Sequence, residues 1–301
     1  MIMGKKYVSE VIAKVIFTIF AIVAIIAVCS ITLYMVKLGA PALFEVGVLD
    51  LLFGTEWKPT ADSPVFGILY VILTSFLGTM MALVIGVPVG VLTAVFLAEV
   101  GNKKLVNIVQ PAVELLAAIP SVIYGLLGIM LLKPVMYDLE LLIYKDISEH
   151  QFTGGANFLS AILVLAIMIL PTVINISTSS IRAVHPAMKS TSLALGATKI
   201  QTIFKVIVPA AKSGIMTAVV LGLGRALGEA MAIAMVAGGA VNMPLPFNSV
   251  RFLTTLIVGE MSYSSGLHRD VLFTIGLVLF VFILFVNIFL TRMIKKGETE
   301  S

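Results

Sequence analysis

Six long apolar runs, separated by short polar stretches, divide the chain near residues 11–36, 64–98, 105–132, 158–176, 213–240 and 271–294. A helix needs about 20 apolar residues to cross a hydrocarbon core, and each run comes close to that or exceeds it. The hydrophobicity is continuous rather than alternating, which predicts helices and not the strands of a barrel. The second run is unusually long, and Gly86, Pro88 and Gly90 predict a bend or break inside it. In the third, Pro120 predicts a kink whose freed backbone groups are tied up by Ser121 or by a neighbouring helix. The expectation is an all-α integral membrane protein with six transmembrane helices, no internal repeat and no soluble domain.

Between the fourth and fifth runs, residues 190–209 carry a helical pattern of their own. Pro186 suits a first helical turn, where its missing N–H would be unpaired anyway. Gly196 is placed to end that helix in a left-handed cap. A second helix follows, with Ile200, Ile203, Phe204 and Ile207 at i, i+3, i+4, i+7 and Lys199, Gln201, Thr202 and Lys205 on the other face. Pro209 closes it before the fifth run. Such a helix-turn-helix knob reads as a docking element; an amphipathic helix lying in the membrane interface is the alternative.

Composition agrees with this division: 59% of the residues are hydrophobic and 12% charged, with a mean hydropathy of +1.11. The single cysteine, Cys29, excludes an intrachain disulfide framework and is expected as a buried thiol. The first run is too long for a signal-peptide core and lacks a small-x-small cleavage site, so it reads as an uncleaved helix. The net charge of +4 is no nucleic-acid footprint, because its excess falls on one side of the membrane. With both termini inside, Lys5, Lys6, Lys14, Lys103, Lys104, Arg182, Lys189, Lys199, Lys205, Lys212, Arg292, Lys295 and Lys296 lie inside. Only Lys37, Lys58, Lys133, Lys145, Arg251 and Arg269 lie outside. Positive residues favour the cytoplasmic side, which puts both termini and the knob there, in a multi-pass protein of the cell membrane. The outer loops carry Glu45, Asp50, Glu56, Asp62, Asp138, Glu140, Asp146 and Glu149, as rims of an entrance, contacts for a delivery protein or plain solvated groups. Trp57 reads as an anchor at the outer interface.

Three ionisable side chains fall inside the spans: Glu114, Arg225 and Glu229. A charge at the bilayer centre costs about 2.5–3.5 kcal/mol on insertion scales, so each must face protein or water. Arg225 and Glu229 are four apart, which on an unbroken helix lets them pair. Ala218, Leu221, Gly222, Gly228 and Ala232 share or border that face, and its small residues admit either another helix or a small ligand. The planar guanidinium suits phosphate or another oxyanion; an ion pair that only fixes helix packing is the other reading. Glu114 is expected near the inner end, paired with Lys103 or Lys104. His150, His185 and His268 are all expected in loops, and no His-Glu-x-x-His pair or Ser/His/Asp grouping suggests an enzyme. There is no Gly-x4-Gly-Lys-[Ser/Thr] loop; the sole Gly-Lys dipeptide is Gly4-Lys5.

The knob resembles the signature loop of ABC-type importer permeases, which reads Glu-Ala-Ala, three residues, Gly, nine residues, Ile-x-Leu-Pro. Here it reads Ser190-Thr191-Ser192, three residues, Gly196, nine residues, Val206-Ile207-Val208-Pro209, with Ser190 in the place of the glutamate. Three segments are similar to phosphate-specific ABC transporter permeases of the PstC type. They are Glu114-Leu-Leu-Ala-Ala-Ile-Pro-Ser-Val-Ile-Tyr-Gly125, Leu195-Gly-Ala-Thr-Lys199 and Leu221-Gly-Leu-Gly-Arg-Ala-Leu-Gly-Glu-Ala-Met231, with Ala230 where the family usually has Thr. Met168-Ile-Leu-Pro171-Thr172 and Gly276-Leu-Val-Leu-Phe280 agree as well.

The resemblance implies a MetI-like ABC importer permease, with residues 1–63 an N-terminal helix and first outer loop, 64–294 the permease domain with its coupling loop at about 182–212, and 295–301 a cytoplasmic tail. It implies import of inorganic phosphate by alternating access, with Arg225, Glu229 and Glu114 along the substrate path. Coupling would fall to Ser190, Leu195, Gly196, Ala197, Thr198 and Pro209. The implied partners are a second homologous permease, a dimer of ATP-binding subunits, an extracytoplasmic phosphate-binding protein and membrane lipid, with no nucleic acid. The chain would bind no cofactor or metal and have no enzymatic activity, ATP and Mg being used by the partner ATPase. A permease for sulfate or molybdate, or a stand-alone secondary transporter, remains the alternative at this point.

Overall fold

The computed structural model describes residues 2–145, 147 and 150–299, and the side chains of 10–145, 147 and 150–292. The side chains of Lys5, Lys6, Lys295 and Lys296, and the outer-loop residues Asp146 and Glu149, lie outside the described residues, as do the last two residues of the tail. The chain is helical, apart from one two-residue hairpin. In order come α1 (Ile2–Val46), α2 (Val48–Phe53), β1 (Trp57–Lys58), β2 (Val65–Phe66), α3 (Leu69–Val100), α4 (Lys103–Ala118) and α5 (Ser121–Tyr144). Then follow α6 (Phe158–Arg182), α7 (Pro186–Ala194), α8 (Lys199–Ala210), α9 (Lys212–Leu227), α10 (Met231–Val236), α11 (Leu253–Glu260) and α12 (Gly266–Thr299). Four helices cross by length and hydropathy, and there are six crossings if each bent pair, α4–α5 and α8–α9, counts as one. The face that carries the α7–α8 hairpin is called the hairpin face below.

At the centre, α3 lies against α6. The close approach explains the glycines of α3: a Cβ on Gly86 would sit 2.7 Å from Ile169 Cδ1, and one on Gly90 2.7 Å from Val173 Cγ1. Without a strong hydrophobic drive between helices in lipid, small residues gain stability by letting backbones meet. The sequence pattern predicts a bend or break here, but α3 is continuous through Pro88 and widens only at its end, in a π turn over Phe96–Val100. Ile162, Leu165, Met168 and Ile169 of α6 are fully buried in the main apolar cluster. By contrast α1 packs almost wholly on α12, where Thr274 Oγ1 donates to the Gly39 carbonyl at 2.6 Å. Its residues between Val11 and Leu33 are exposed except Ala13 and Thr32, which are partly covered, and Cys29 is among the exposed ones, so the expected buried thiol is on the surface of this chain.

Pro120 does more than kink its helix: α4 and α5 meet at 102°. Proline has no N–H to donate to the carbonyl four residues back, which is that of Leu116. That carbonyl accepts instead from the Tyr124 hydroxyl at 2.7 Å, and from Ile119 N at 3.3 Å. Tyr124, not Ser121, therefore seals the break. Tyr124→Phe is expected to cost about 1 kcal/mol, seen as a lower thermal midpoint of the purified chain.

The fifth crossing is also interrupted. It ends as α9 at Leu227 and restarts as α10 at Met231, so the uninterrupted 213–240 helix of the sequence reading is corrected. Gly228 N reaches the Gly224 carbonyl at 3.2 Å, closing α9, and the poor helix propensity of Gly228 favours an end there.

On the face opposite the hairpin, two carboxylates read as loop acids or left unremarked turn out to be buried. Glu140, fully buried in α5, accepts from Thr153 N (2.9 Å), Thr153 Oγ1 (3.0 Å) and His150 Nε2 (2.9 Å), so it pins the following loop rather than facing solvent. Glu260, at the end of α11, pairs with Arg251 and His268 and accepts from Trp57 Nε1 at 3.1 Å. Trp57 Nε1 thus ties the β1–β2 hairpin to the end of α11. His268 is buried in the first turn of α12 rather than in a loop. Glu56 forms an exposed pair with Lys58, whose ammonium holds its carboxyl below the ordinary value. A depression of about 770 Å³ between these groups is lined by Glu56, Lys58, Arg251, Glu260 and Tyr263; Glu56 is the one expected loop acid that rims it.

Candidate functional site

The two interruptions lie side by side. α5 packs on α10, and the Gly125 position is so close that a Cβ would stand 3.0 Å from Ala232 Cα and 2.6 Å from Met235 Sδ. Arg225 occupies the last turn of α9, immediately before the break, and is half-buried. Its Nη1 reaches Thr172 Oγ1 of α6 at 3.4 Å. Among the described residues it has no ion-pair partner. Interrupted membrane helices in general free backbone groups, and a cation beside such a break can meet an anion.

Glu229 does not pair with Arg225. The i,i+4 geometry requires a continuous helix, and Glu229 lies in the break. Its Oε1 accepts from Ala232 N at 2.9 Å, capping α10, while its own carbonyl accepts from Thr254 Oγ1 of α11 at 2.6 Å. Glu229 is thus a joint between α9, α10 and α11, and its negative charge sits where the α10 amides point. Of the residues expected to share a face with Arg225, Ala218 and Gly222 are buried, Gly222 against Val173 of α6; Leu221 and Gly228 are exposed, and Ala232 is buried beyond the break.

Glu114 stands apart. It is exposed on α4 and bonds to Gln110 Nε2 at 3.1 Å, not to Lys103 or Lys104, because helical spacing puts Gln110 one turn below it. Gln110 Oε1 in turn accepts from Arg182 Nη2 at 3.0 Å, so Glu114 belongs to a network at the hairpin face rather than to the Arg225 site.

The hairpin itself is built locally. Pro186 opens α7, with His185 Nδ1 accepting from Ala187 N at 3.2 Å. Gly196, at φ +87°, turns the chain in the left-handed region where an L side chain is strained. Thr198 then caps α8 through a reciprocal pair with Gln201, 3.3 Å and 2.9 Å. Ser192 and Thr202 hydroxyls meet at 2.9 Å and staple the two helices together. A π turn spans Ile203–Ile207. Of the expected stripe Ile203 and Ile207 are buried, while Ile200 and Phe204 are exposed, at 71% and 51%. Leu195, at the tip, is 84% exposed. Ser190 is exposed and donates back to the Ala187 carbonyl at 3.1 Å; Ala197 packs at the turn, and Pro209 lies in the last turn of α8, just before the 67° bend into α9.

The sequence reading overlooked Tyr124, Thr254, Gln110 and Arg182 as parts of these constellations. Two of them left local signals, Tyr124 four residues after Pro120 and Gln110 four before Glu114. Thr254 and Arg182 left none, since their partners are far away in the chain.

The residues 86–297 match the family described as binding-protein-dependent transport system inner membrane component. The probable ABC transporter permease protein YqgH of Bacillus subtilis (strain 168) is 36% identical over 297 residues, covering 95% of this chain and 93% of that one. The phosphate transport system permease protein PstC of Pasteurella multocida (strain Pm70) is 32% identical, covering 85% and 83%, and that of Xylella fastidiosa (strain 9a5c) 35%, covering 84% and 80%. Among solved structures, a chain of a bacterial alginate ABC transporter in complex with an alginate pentasaccharide-bound periplasmic protein shares the fold, with a TM-score of 0.61 at 20% identity over 84% of both chains. A chain of the MetNI methionine ABC transporter in an inward-facing conformation does so with a TM-score of 0.53 at 22% identity, over 77% of this chain and 94% of that one. With its interrupted crossings, its exposed hairpin and these relatives, this multi-pass membrane chain belongs to the family of binding-protein-dependent transport system inner membrane components, the permease subunits of ABC transporters.

Proposed function

We propose that this chain is one permease subunit of an ATP-driven importer of inorganic phosphate. The observation that carries the reading is Arg225, a guanidinium without a carboxylate partner among the described residues, held at the junction of two interrupted helices. A planar fork with free N–H groups in a place of low dielectric favours a tetrahedral oxyanion, which can accept two hydrogen bonds from it at once. The relatives named for phosphate transport support that choice of anion.

In this reading a phosphate delivered by an extracytoplasmic binding protein passes between this chain and a second, related permease. The path opens alternately to the two sides. Phosphate carries more negative charge than one guanidinium balances, so the second permease supplies a further basic group. The hairpin face is cytoplasmic, as are both termini, and the tip formed by Leu195, Gly196, Ala197 and Thr198 enters a groove on one member of an ATPase dimer. ATP and Mg²⁺ are bound there and not on this chain. The exposed Leu195, Ile200 and Phe204 supply the apolar contact, and Ser190 leaves this permease without the carboxylate that resembling loops carry at that position.

The test is ATP-dependent uptake by the complete complex reconstituted in vesicles, with phosphate and sulfate in competition. Labelled phosphate accumulates and unlabelled sulfate fails to displace it. Accumulation of sulfate without phosphate, or uptake by the chain alone without an ATPase, would overturn the reading.

A further inference from the structure

The end of α3 that lies on the hairpin face is not joined in sequence to the hairpin, yet several elements of that face converge on it. Lys189 of α7 forms an ion pair with Glu99, inside the π turn that ends α3. Glu99 is largely covered, its side chain 11% exposed, while that of Lys189 is 41% exposed. Arg182, in the last turn of α6, donates to the Leu97 carbonyl of the same turn at 3.2 Å, and to Gln110 of α4. That carbonyl is one that a helix end leaves without an amide partner, so a cation there satisfies both the lone pair and the helix dipole. Beside these polar ties, Ile203 and Ile207 of α8 are packed with Ala94 and Val95 of α3 and Ile181 of α6.

The apolar contact resists compression but transmits little pull, because dispersion contacts are weak one by one and slide. An ion pair between a covered carboxylate and an ammonium has direction, and resists being drawn apart. On this geometry we propose that Glu99 and Lys189 form a strut through which movement of the coupling helix α7 is passed to α3. Both are positioning residues, remote from the substrate site. The strut rests on the reading of the chain as an ATP-driven permease, and explains how a helix not connected to the hairpin follows it.

The test uses the complete complex in vesicles and measures phosphate accumulated per ATP hydrolysed, alongside co-purification of all subunits. Glu99→Gln and Lys189→Met, each close to isosteric, assemble normally and continue to hydrolyse ATP, but transport per ATP falls at least about fivefold, the lower end of ordinary site-to-site coupling. The exchanged pair, Glu99→Lys with Lys189→Glu, restores most of the loss, which a role in folding alone would not predict. Lys189→Arg keeps the charge and keeps the ratio. An unchanged ratio in both single variants overturns the strut, as does an assembled exchange variant no better than either single one, or a Lys189→Arg complex as poorly coupled as Lys189→Met. Absence of ATP-dependent uptake in the unmodified complex counts instead against the importer reading itself.

Discussion

Arg225→Ala is expected to lower the initial rate of ATP-driven phosphate uptake about 100-fold or more, and Arg225→Lys to recover little of it. Removing one partner from a desolvated, hydrogen-bonded charge pair costs about 2–5 kcal/mol, and each 1.4 kcal/mol is tenfold. Lysine restores the charge but not the planar pair of parallel donors, and its compact ammonium prefers water to the half-buried position beside Thr172. The measurement is uptake at matched amounts of assembled complex, with ATP hydrolysis followed in parallel to show that the nucleotide side remains intact. Full uptake by the lysine variant would remove Arg225 from the substrate path. Thr172→Val, which deletes the hydroxyl that orients the guanidinium, should produce a smaller defect in the same direction.

The second large effect is expected on the other side of the protein, and on stability rather than transport chemistry. Glu260 is 4% exposed and gathers Arg251, His268 and Trp57 from three separate stretches of chain. Glu260→Gln leaves the Arg251 guanidinium, itself mostly covered, without its counter-charge. Breaking a buried pair from one side costs about 3–5 kcal/mol, and the partial exposure of Arg251 argues for the lower end. For a chain of this size about 3 kcal/mol corresponds to a fall in thermal midpoint of about 5 °C, read from the fraction of monodisperse protein left after heating. Replacing both charges, Glu260→Leu with Arg251→Met, should recover much of that fall. If the single variant melts with the unmodified chain, the cluster contributes nothing to holding the β1–β2 hairpin to α11 and α12.

These two sites also show where sequence reasoning reached and where it stopped. The apolar runs located the candidate crossings, six if each bent pair counts as one, because lipid leaves so few ways to satisfy a backbone. The turn chemistry of the hairpin was equally legible: Pro186, Gly196 and Pro209 act within a few residues of themselves, so local spacing is enough. What failed were inferences that assumed an ideal helix. The Arg225–Glu229 pairing fails at a three-residue interruption, which takes Glu229 off the helix that carries Arg225. Glu140 and Glu260 were illegible for another reason. Nothing near either acid announces burial, since their donors arrive from loops and strands that only the folded chain brings close. Glycines misled in the opposite sense: Gly86 and Gly90 look like breakers in sequence, yet serve as the flat side of a helix contact.

The joint at Pro120 has one more consequence. A straight helix must unzip at least one amide bond before it can flex sharply, but here the amide is absent by covalent structure and a phenol holds its place. At the joint itself, swinging α5 relative to α4 therefore sacrifices one side-chain tether, worth about 1 kcal/mol net. The elbow can open and close many times without either arm losing a turn.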